Sequence, residues 1–371
     1  YARHFVRAGR HRVTVVSAKD GTLRDAYREL GIPVEIAAGF APVGDEPAGA
    51  WRARLATLVT RLGLDRYDVV VVNSLASFWA VELAALAGLP SVWHVHEGVD
   101  VESSLGTMFF ETAADTMRAL LGDCLRKATR VVFQARTTQQ RFDEFNVNDH
   151  FRFIAGGIAI AQIDHERAAR PRAELRARHG FTDEDFVIVE IATICERKGQ
   201  AVLVDALAEL SGAPGPRLRC VMVGARDDDD FVRGYQRVVR DRVEHLGLER
   251  VVRIDDETDD YRQYLAMADL FVLPSFAESF PRILLEAMAF GVPIIASHVF
   301  GVPEMIQPDE DGLVLEPGDP KSLARAILRC LVEPELRARL AASASARVRR
   351  VYDAAWLLDR HLELLREAVL A

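Results

Sequence analysis

The chain has 371 residues, half of them apolar, enough for two domains with sizeable cores. Its 46 basic and 55 acidic residues leave a net charge of −9, which argues against a general nucleic-acid binder. No run of about 18 apolar residues is present, so no membrane-spanning helix is expected; the four cysteines, Cys124, Cys195, Cys220 and Cys330, lack paired metal-ligand spacing and read as reduced thiols of a cytoplasmic protein.

Residues 1–8 read as the end of an amphipathic helix with Gly9 as its C-cap, so an upstream strand is expected to be missing before Tyr1. Short runs rich in valine and isoleucine then alternate with helical patterns. The first series covers residues 13–17, 34–37, 69–73, 91–94, 130–133 and 152–155. The second covers 186–192, 219–223, 251–254, 270–273, 292–296 and 312–315. Apolar strands separated by helices predict α/β architecture with parallel sheets covered on both faces and joined by right-handed crossovers. Two sheets are expected, one in a domain over residues 1–163 and one over 164–351, with segment 164–180 a polar, arginine-rich linker running into a helix. The helix within 352–371, with apolar Trp356, Leu357, Leu362, Leu365 and Val369, is a candidate to return to the first domain. Residues 51–62 form a basic amphipathic pattern that either packs on the first sheet or lies on an anionic membrane surface. Ligands of open parallel sheets bind beyond the carboxyl ends of the strands, which places the expected site in a central cleft faced by both sheets.

Two glutamates stand out. Glu286 is the lone carboxylate of the otherwise apolar helical stretch 283–290, where it needs a partner. Glu278 lies just before that helix, where unpaired backbone N–H groups favour anions. A ligand with both hydroxyls and phosphates, such as a sugar nucleotide, suits this pattern. The alternative is a capping glutamate plus a surface glutamate.

Glu278 and Glu286, with seven residues between them, are followed by Ala287-Met288-Ala289 and Gly291-Val292-Pro293. Downstream come Gly301-Val302-Pro303-Glu304, Asp311-Gly312-Leu313 and Pro317-Gly318-Asp319-Pro320. Together these resemble the signature of the retaining glycosyltransferases of family four, closely over residues 185–330 and more loosely over 10–160. The resemblance implies the GT-B fold, two Rossmann-like domains, and transfer of a sugar from a UDP- or GDP-linked donor to a hydroxyl acceptor. That acceptor is a glycan, a lipid-linked sugar or a small molecule. A peripheral contact with the inner face of a membrane would suit a lipid-linked acceptor. No cofactor or metal is expected, and a front-face displacement is the implied route to retention. The alternative in another class is a non-catalytic sugar-nucleotide-binding subunit; a phosphorylase or epimerase on the same fold is a third.

The resemblance also implies roles for individual residues. Glu286 would accept hydrogen bonds from ribose hydroxyls, Glu278 would face the donor sugar, and the N–H groups of Ser279 and Phe280 would approach sugar or phosphate, with Pro281 at the first helical position. Lys198, in Arg197-Lys198-Gly199-Gln200, would contact the diphosphate. Many members carry arginine where this chain has Thr193, and Arg197 either substitutes for it or is solvated. His96, after the strand at 91–94, would lie close to the donor sugar, with His94 the second choice. Gly156-Gly157-Ile158 stands where the family has Asn-Gly-Ile-Asp and fits a tight turn. The acidic groups Asp227–Asp230 and Asp255-Asp256 read as solvated turns rather than a metal motif.

Overall fold

In the computed structural model, residues 2–7, 11–21, 23–37, 39, 40, 42, 46–98, 114–227 and 230–370 are described. The expected cap at Gly9 and the acidic residues Asp228 and Asp229 lie outside them. By its internal contacts the chain divides into one unit of Tyr1–Ala155 with Ala355–Ala371 and another of Gly156–Ala354.

Each of the twelve predicted runs forms a strand, and every pairing is parallel. The first unit contains β1 (Val15–Ser17), β2 (Val34–Ile36), β3 (Val70–Asn73), β4 (Ser91–Val95), β5 (Arg130–Phe133) and β6 (Phe151–Phe153). They make two sheets rather than the one expected: a pair β1-β2 and a four-stranded sheet β3-β4-β5-β6. The strands of the pair are three residues long and only partly buried. Side chains tether the pair, with Val16 against the core and the Tyr67 hydroxyl donating to Thr14 Oγ1 at 2.7 Å. Apolar content marks a strand but does not choose its ladder partner, which depends on non-local packing.

Helix Ala48–Leu62 buries Trp51, Leu55, Leu58 and Leu62, a stripe at helical spacing, in the core of this unit. The Trp51 indole donates to the Phe40 carbonyl at 2.8 Å. Its apolar face is therefore occupied inside the protein and is not a membrane-facing surface. The last helix, Ala354–Leu370, packs Leu357, Leu364 and Ala368 against Val92, Val132 and Ile154 of β4, β5 and the end of β6. Trp356 and Val369 fall outside this stripe and are exposed.

The second unit contains β7 (Asp185–Ile191), β8 (Arg217–Ala225), β9 (Val252–Asp256), β10 (Leu270–Leu273), β11 (Ile294–Ser297) and β12 (Leu313–Leu315) in the order β12-β11-β10-β7-β8-β9. β7 and β10 are central, and their residues are almost wholly buried. Segment 164–180 is not a linker. It holds most of helix Ile160–Ala168 and all of helix Arg172–Arg178, two of whose arginines, Arg172 and Arg176, pair with an acid far along the chain. Asp269 ion-pairs with both Arg172 and Arg176, and also accepts the Val187 N–H at 2.8 Å. Arg176 is buried and donates to the Met267 and Thr182 carbonyls at 3.2 and 3.1 Å. The polar composition is here an electrostatic clamp, buried at Arg176 and partly exposed at Arg172, on the amino ends of β7 and β10.

Removing one partner of a buried pair leaves the other charge uncompensated. Asp269→Ala is expected to lower the unfolding free energy by about 3 kcal/mol, read as a lower midpoint in urea denaturation.

Candidate active site

The loops after β7 and β10 lie side by side. The first passes through a turn of 3-10 helix at Glu196–Lys198 and turns at Gly199, with φ of 72°. A Cβ at Gly199 would sit 2.1 Å from the Pro274 carbonyl oxygen, so only glycine allows this approach. The two loops are then joined twice. Phe276 N–H donates to the Arg197 carbonyl at 2.8 Å, and the Arg197 guanidinium donates to the Ala277 carbonyl at 2.7 Å.

This junction brings Lys198 onto Glu278. The Lys198 ammonium donates to Glu278 Oε1 at 2.5 Å, Ser275 Oγ donates to the same oxygen at 2.7 Å, and Arg197 lies 3.8 Å from Oε2. The Lys198 and Glu278 side chains are 14% and 7% exposed, so Lys198 is not a solvated loop lysine. Arg197 is half exposed. Ser279 Oγ is buried without a partner, and the N–H groups of Ser279 and Phe280 donate to no acceptor among the described residues. The Phe280 ring meets Tyr352 edge-on at 5.8 Å. Pro281 takes the N-cap position rather than the first helical one, and the helix runs Arg282–Phe290.

Glu286 is buried in that helix, and its partners are protein groups absent from the sequence expectation. Tyr261 donates to Oε2 at 2.9 Å, Arg262 to Oε1 at 2.8 Å and Arg282 to Oε1 at 3.2 Å. Arg262 also reaches Glu166 at 2.9 Å. Burial, then the nearby Glu286 carboxylate, raise the Tyr261 phenol above its ordinary range. An ionised carboxylate has about four lone-pair sites. Three are taken here, which leaves room on Oε2.

In the first unit, His96 follows β4 and its Nε2 lies 2.8 Å from Asn73 Oδ1. Glu97 accepts from Ser74 Oγ at 2.7 Å and from the N–H groups of Leu75 and His96 at 2.9 Å, fixing the turn after β3. The His94 and His96 rings are stacked at 6.3 Å, as alternation along one strand face requires. His94 is buried against His361, ring to ring at 5.1 Å, and burial followed by the His361 and His96 charges holds it well below the usual imidazole value. His96 is the more accessible of the two.

Gly156 and Gly157 both lack a positive φ, so the turn there makes no use of glycine's left-handed freedom. Its following residue, Ile158, pairs instead with the backbone of Tyr352 and Ala354. Asp255 is held by Tyr264 and Arg253, each at 2.9 Å. Asp227 and Asp230 both pair with Arg233. Among the described residues no group of three or more His, Cys, Asp or Glu is placed to hold a metal ion, and no helix is long and apolar enough to cross a membrane.

The sequence matches two family profiles, one described as Glycosyl transferases group 1 over residues 171–347 and one as Glycosyl transferase 4-like domain over residues 1–157. Alpha-D-kanosaminyltransferase of Streptomyces kanamyceticus is 28% identical over 276 residues, covering 73% of this chain and 68% of that protein. N-acetyl-alpha-D-glucosaminyl L-malate synthase of Bacillus anthracis is 32% identical over 171 residues, covering 45% and 42%. The chain thus spans about two thirds of the first relative and under half of the second. Anabaena HepE, solved in complex with UDP-glucose, superimposes with a TM-score of 0.80 at 23% identity, covering 99% of this chain and 94% of that one. The chain belongs to the family-four glycosyltransferases and has their GT-B fold.

Tyr261, Arg262 and Ser275 were missed because each meets its glutamate only after folding. One signal for the arginine was available: a buried carboxylate demands a cation. Arg262→Ala is expected to lower stability by about 3 kcal/mol, with part of the loss recovered in the Arg262→Ala/Glu286→Ala double variant, where that pair's carboxylate is gone too. A denaturation double-mutant cycle measures the coupling.

Proposed function

We propose that this glycosyltransferase moves a sugar from a nucleoside diphosphate to a hydroxyl of a glycan, a lipid-linked sugar or a small molecule, with retention of configuration. The observation that carries the proposal is the Lys198–Glu278 pair, held where the two central strands of the second unit end. Lys198 has three N–H donors and gives one to Glu278, so two remain for diphosphate oxygens. Its charge stabilises the leaving diphosphate as the glycosidic C–O bond breaks. Glu278 Oε2 accepts from a donor-sugar hydroxyl, and the free N–H groups of Ser279 and Phe280 point to the same ligand.

Glu286 accepts a ribose hydroxyl on its remaining lone pair. Arg282, whose side chain is 65% exposed, holds the other oxygen, Oε1, and leaves that lone pair open. In a front-face displacement, the acceptor oxygen bonds to the anomeric carbon on the face the diphosphate leaves, and a diphosphate oxygen takes the acceptor proton. UDP-linked sugars are the first donors to test, because HepE was solved with UDP-glucose.

The test incubates the protein with UDP-glucose, UDP-N-acetylglucosamine and GDP-mannose and measures nucleoside diphosphate release. Wild type is expected to turn over one of them slowly by hydrolysis, and faster with an acceptor. Lys198→Ala and Glu278→Ala are expected to lower turnover by about 10²-fold or more. Unchanged turnover in both variants would overturn the assignment. Tight nucleotide binding with no release by wild type would favour a non-catalytic binding subunit.

A further inference from the structure

The loop that carries Lys198 rests on a carboxylate that the proposed reaction does not use. Glu190 lies in β7 between Val189 and Ile191 and is fully buried. Gln200, the first residue of the helix after the loop, is also fully buried. Gln200 Nε2 donates to Glu190 Oε1 at 3.2 Å and to the Thr193 carbonyl at 3.3 Å. The remaining oxygens of the two groups, Glu190 Oε2 and Gln200 Oε1, are buried and have no partner.

Two orphan acceptors on groups already joined by one hydrogen bond are the pattern left by an unplaced proton. A hydrogen on Glu190 Oε2, donated to Gln200 Oε1, satisfies both oxygens and closes a reciprocal acid–amide couple. An ionised Glu190 satisfies neither, at the expense of an uncompensated buried charge.

The surroundings favour the neutral acid. β10 contributes only apolar side chains toward this strand. β8 contributes Cys220, whose thiol is pushed far up by burial and then by Glu190. The helix Asp230–His245 contributes Tyr235, which accepts the Ala201 N–H at 3.4 Å and whose phenol is raised, chiefly by burial. Lys198 is the cation that acts on Glu190 among the described residues, and Glu278 is a second carboxylate acting against it. Burial outweighs Lys198 and pushes the Glu190 carboxyl up to about 8.

We propose that Glu190 is a positioning residue of the transfer reaction: protonated and locked to Gln200, it fixes loop 193–199 and leaves the Lys198 ammonium to Glu278 and the donor diphosphate. This rests on the assignment of Lys198 to the diphosphate. Once ionised, Glu190 becomes a second carboxylate competing for Lys198, and its Oε2 draws the loop out of register in search of a donor.

Glu190→Gln reproduces the neutral acid, because an amide can accept from Gln200 Nε2 and donate to Gln200 Oε1. With whichever of the three nucleotide sugars is turned over, Glu190→Gln is expected to stay within about twofold of wild type at pH 7 and Glu190→Ala to fall about tenfold or more. Wild-type turnover is expected to drop about tenfold per pH unit above about 8, a limb that Glu190→Gln lacks. The folded-state pKa is raised, so the stability Glu190 contributes is complete below its unfolded value of about 4.3 and is lost as pH rises through about 8. The Tm of wild type is therefore expected to fall relative to Glu190→Gln across that window. A Tm difference that stays flat from pH 5 to about 9 overturns the role of Glu190 while leaving sugar transfer standing, since Tm needs no donor. An alkaline limb shared by Glu190→Gln does the same. No turnover by wild type, with the Tm difference present, overturns the proposed reaction and with it the role of Glu190.

Discussion

The close approach of Gly199 to the Pro274 carbonyl is the constraint on which the candidate site depends. β7 and β10 are adjacent in the sheet, so the loops leaving their carboxyl ends start side by side. Nothing in that adjacency alone would bring Lys198 to within a hydrogen bond of Glu278. The absence of a side chain at residue 199 does, because it lets one backbone settle onto the other. Two hydrogen bonds through Arg197 then hold the junction. The backbones of Lys198 and Glu278 are thereby set close enough for the ammonium and carboxylate to meet. Preorganised charge of this kind is what a leaving diphosphate requires, since little reorganisation is left for the moment of reaction.

A second theme is that buried charges in this unit are neutralised across long sequence separations. Asp269 draws in Arg172 and Arg176, and Glu286 draws in Arg262. Each clamp fastens a different helix to the sheet or to its neighbour. The Glu286 clamp also links rigidity to ligand binding, because the same carboxylate that would meet ribose anchors Arg262, which in turn holds Glu166. Loss of Glu286 therefore affects packing as well as recognition, and the two effects separate only when stability and nucleotide affinity are measured on the same variants.

The strands were legible because valine and isoleucine runs bounded by turn residues leave few other options, and the glutamate pair was legible because a carboxylate in an apolar helix is anomalous. What escaped was pairing. The sequence of β1 and β2 does not say that they hydrogen-bond to each other and not to β3, and the arginines of 164–180 look the same whether solvated or clamped on Asp269. Tyr261 and Arg262 lie more than twenty residues from Glu286, beyond any local pattern. Glu190 is the instructive omission. It interrupts the apolar run 186–192 just as Glu286 interrupts its helix, so the same argument applied to β7 would have singled it out.

Glu190 and Thr193 also bear on each other. Thr193 offers Gln200 only its backbone carbonyl, so the cations of this loop are Lys198 and the half-exposed Arg197. Against them stands the carboxylate of Glu278. With Glu190 neutral, the two cations meet two carboxylates, Glu278 and Glu196 of the same loop, and the local balance is zero. With Glu190 ionised, the local balance turns negative, which disfavours any anionic ligand at this loop. A loop whose cations are already matched can tolerate a buried acid beneath it only if that acid keeps its proton, and the facing amide of Gln200 is the group that lets it do so.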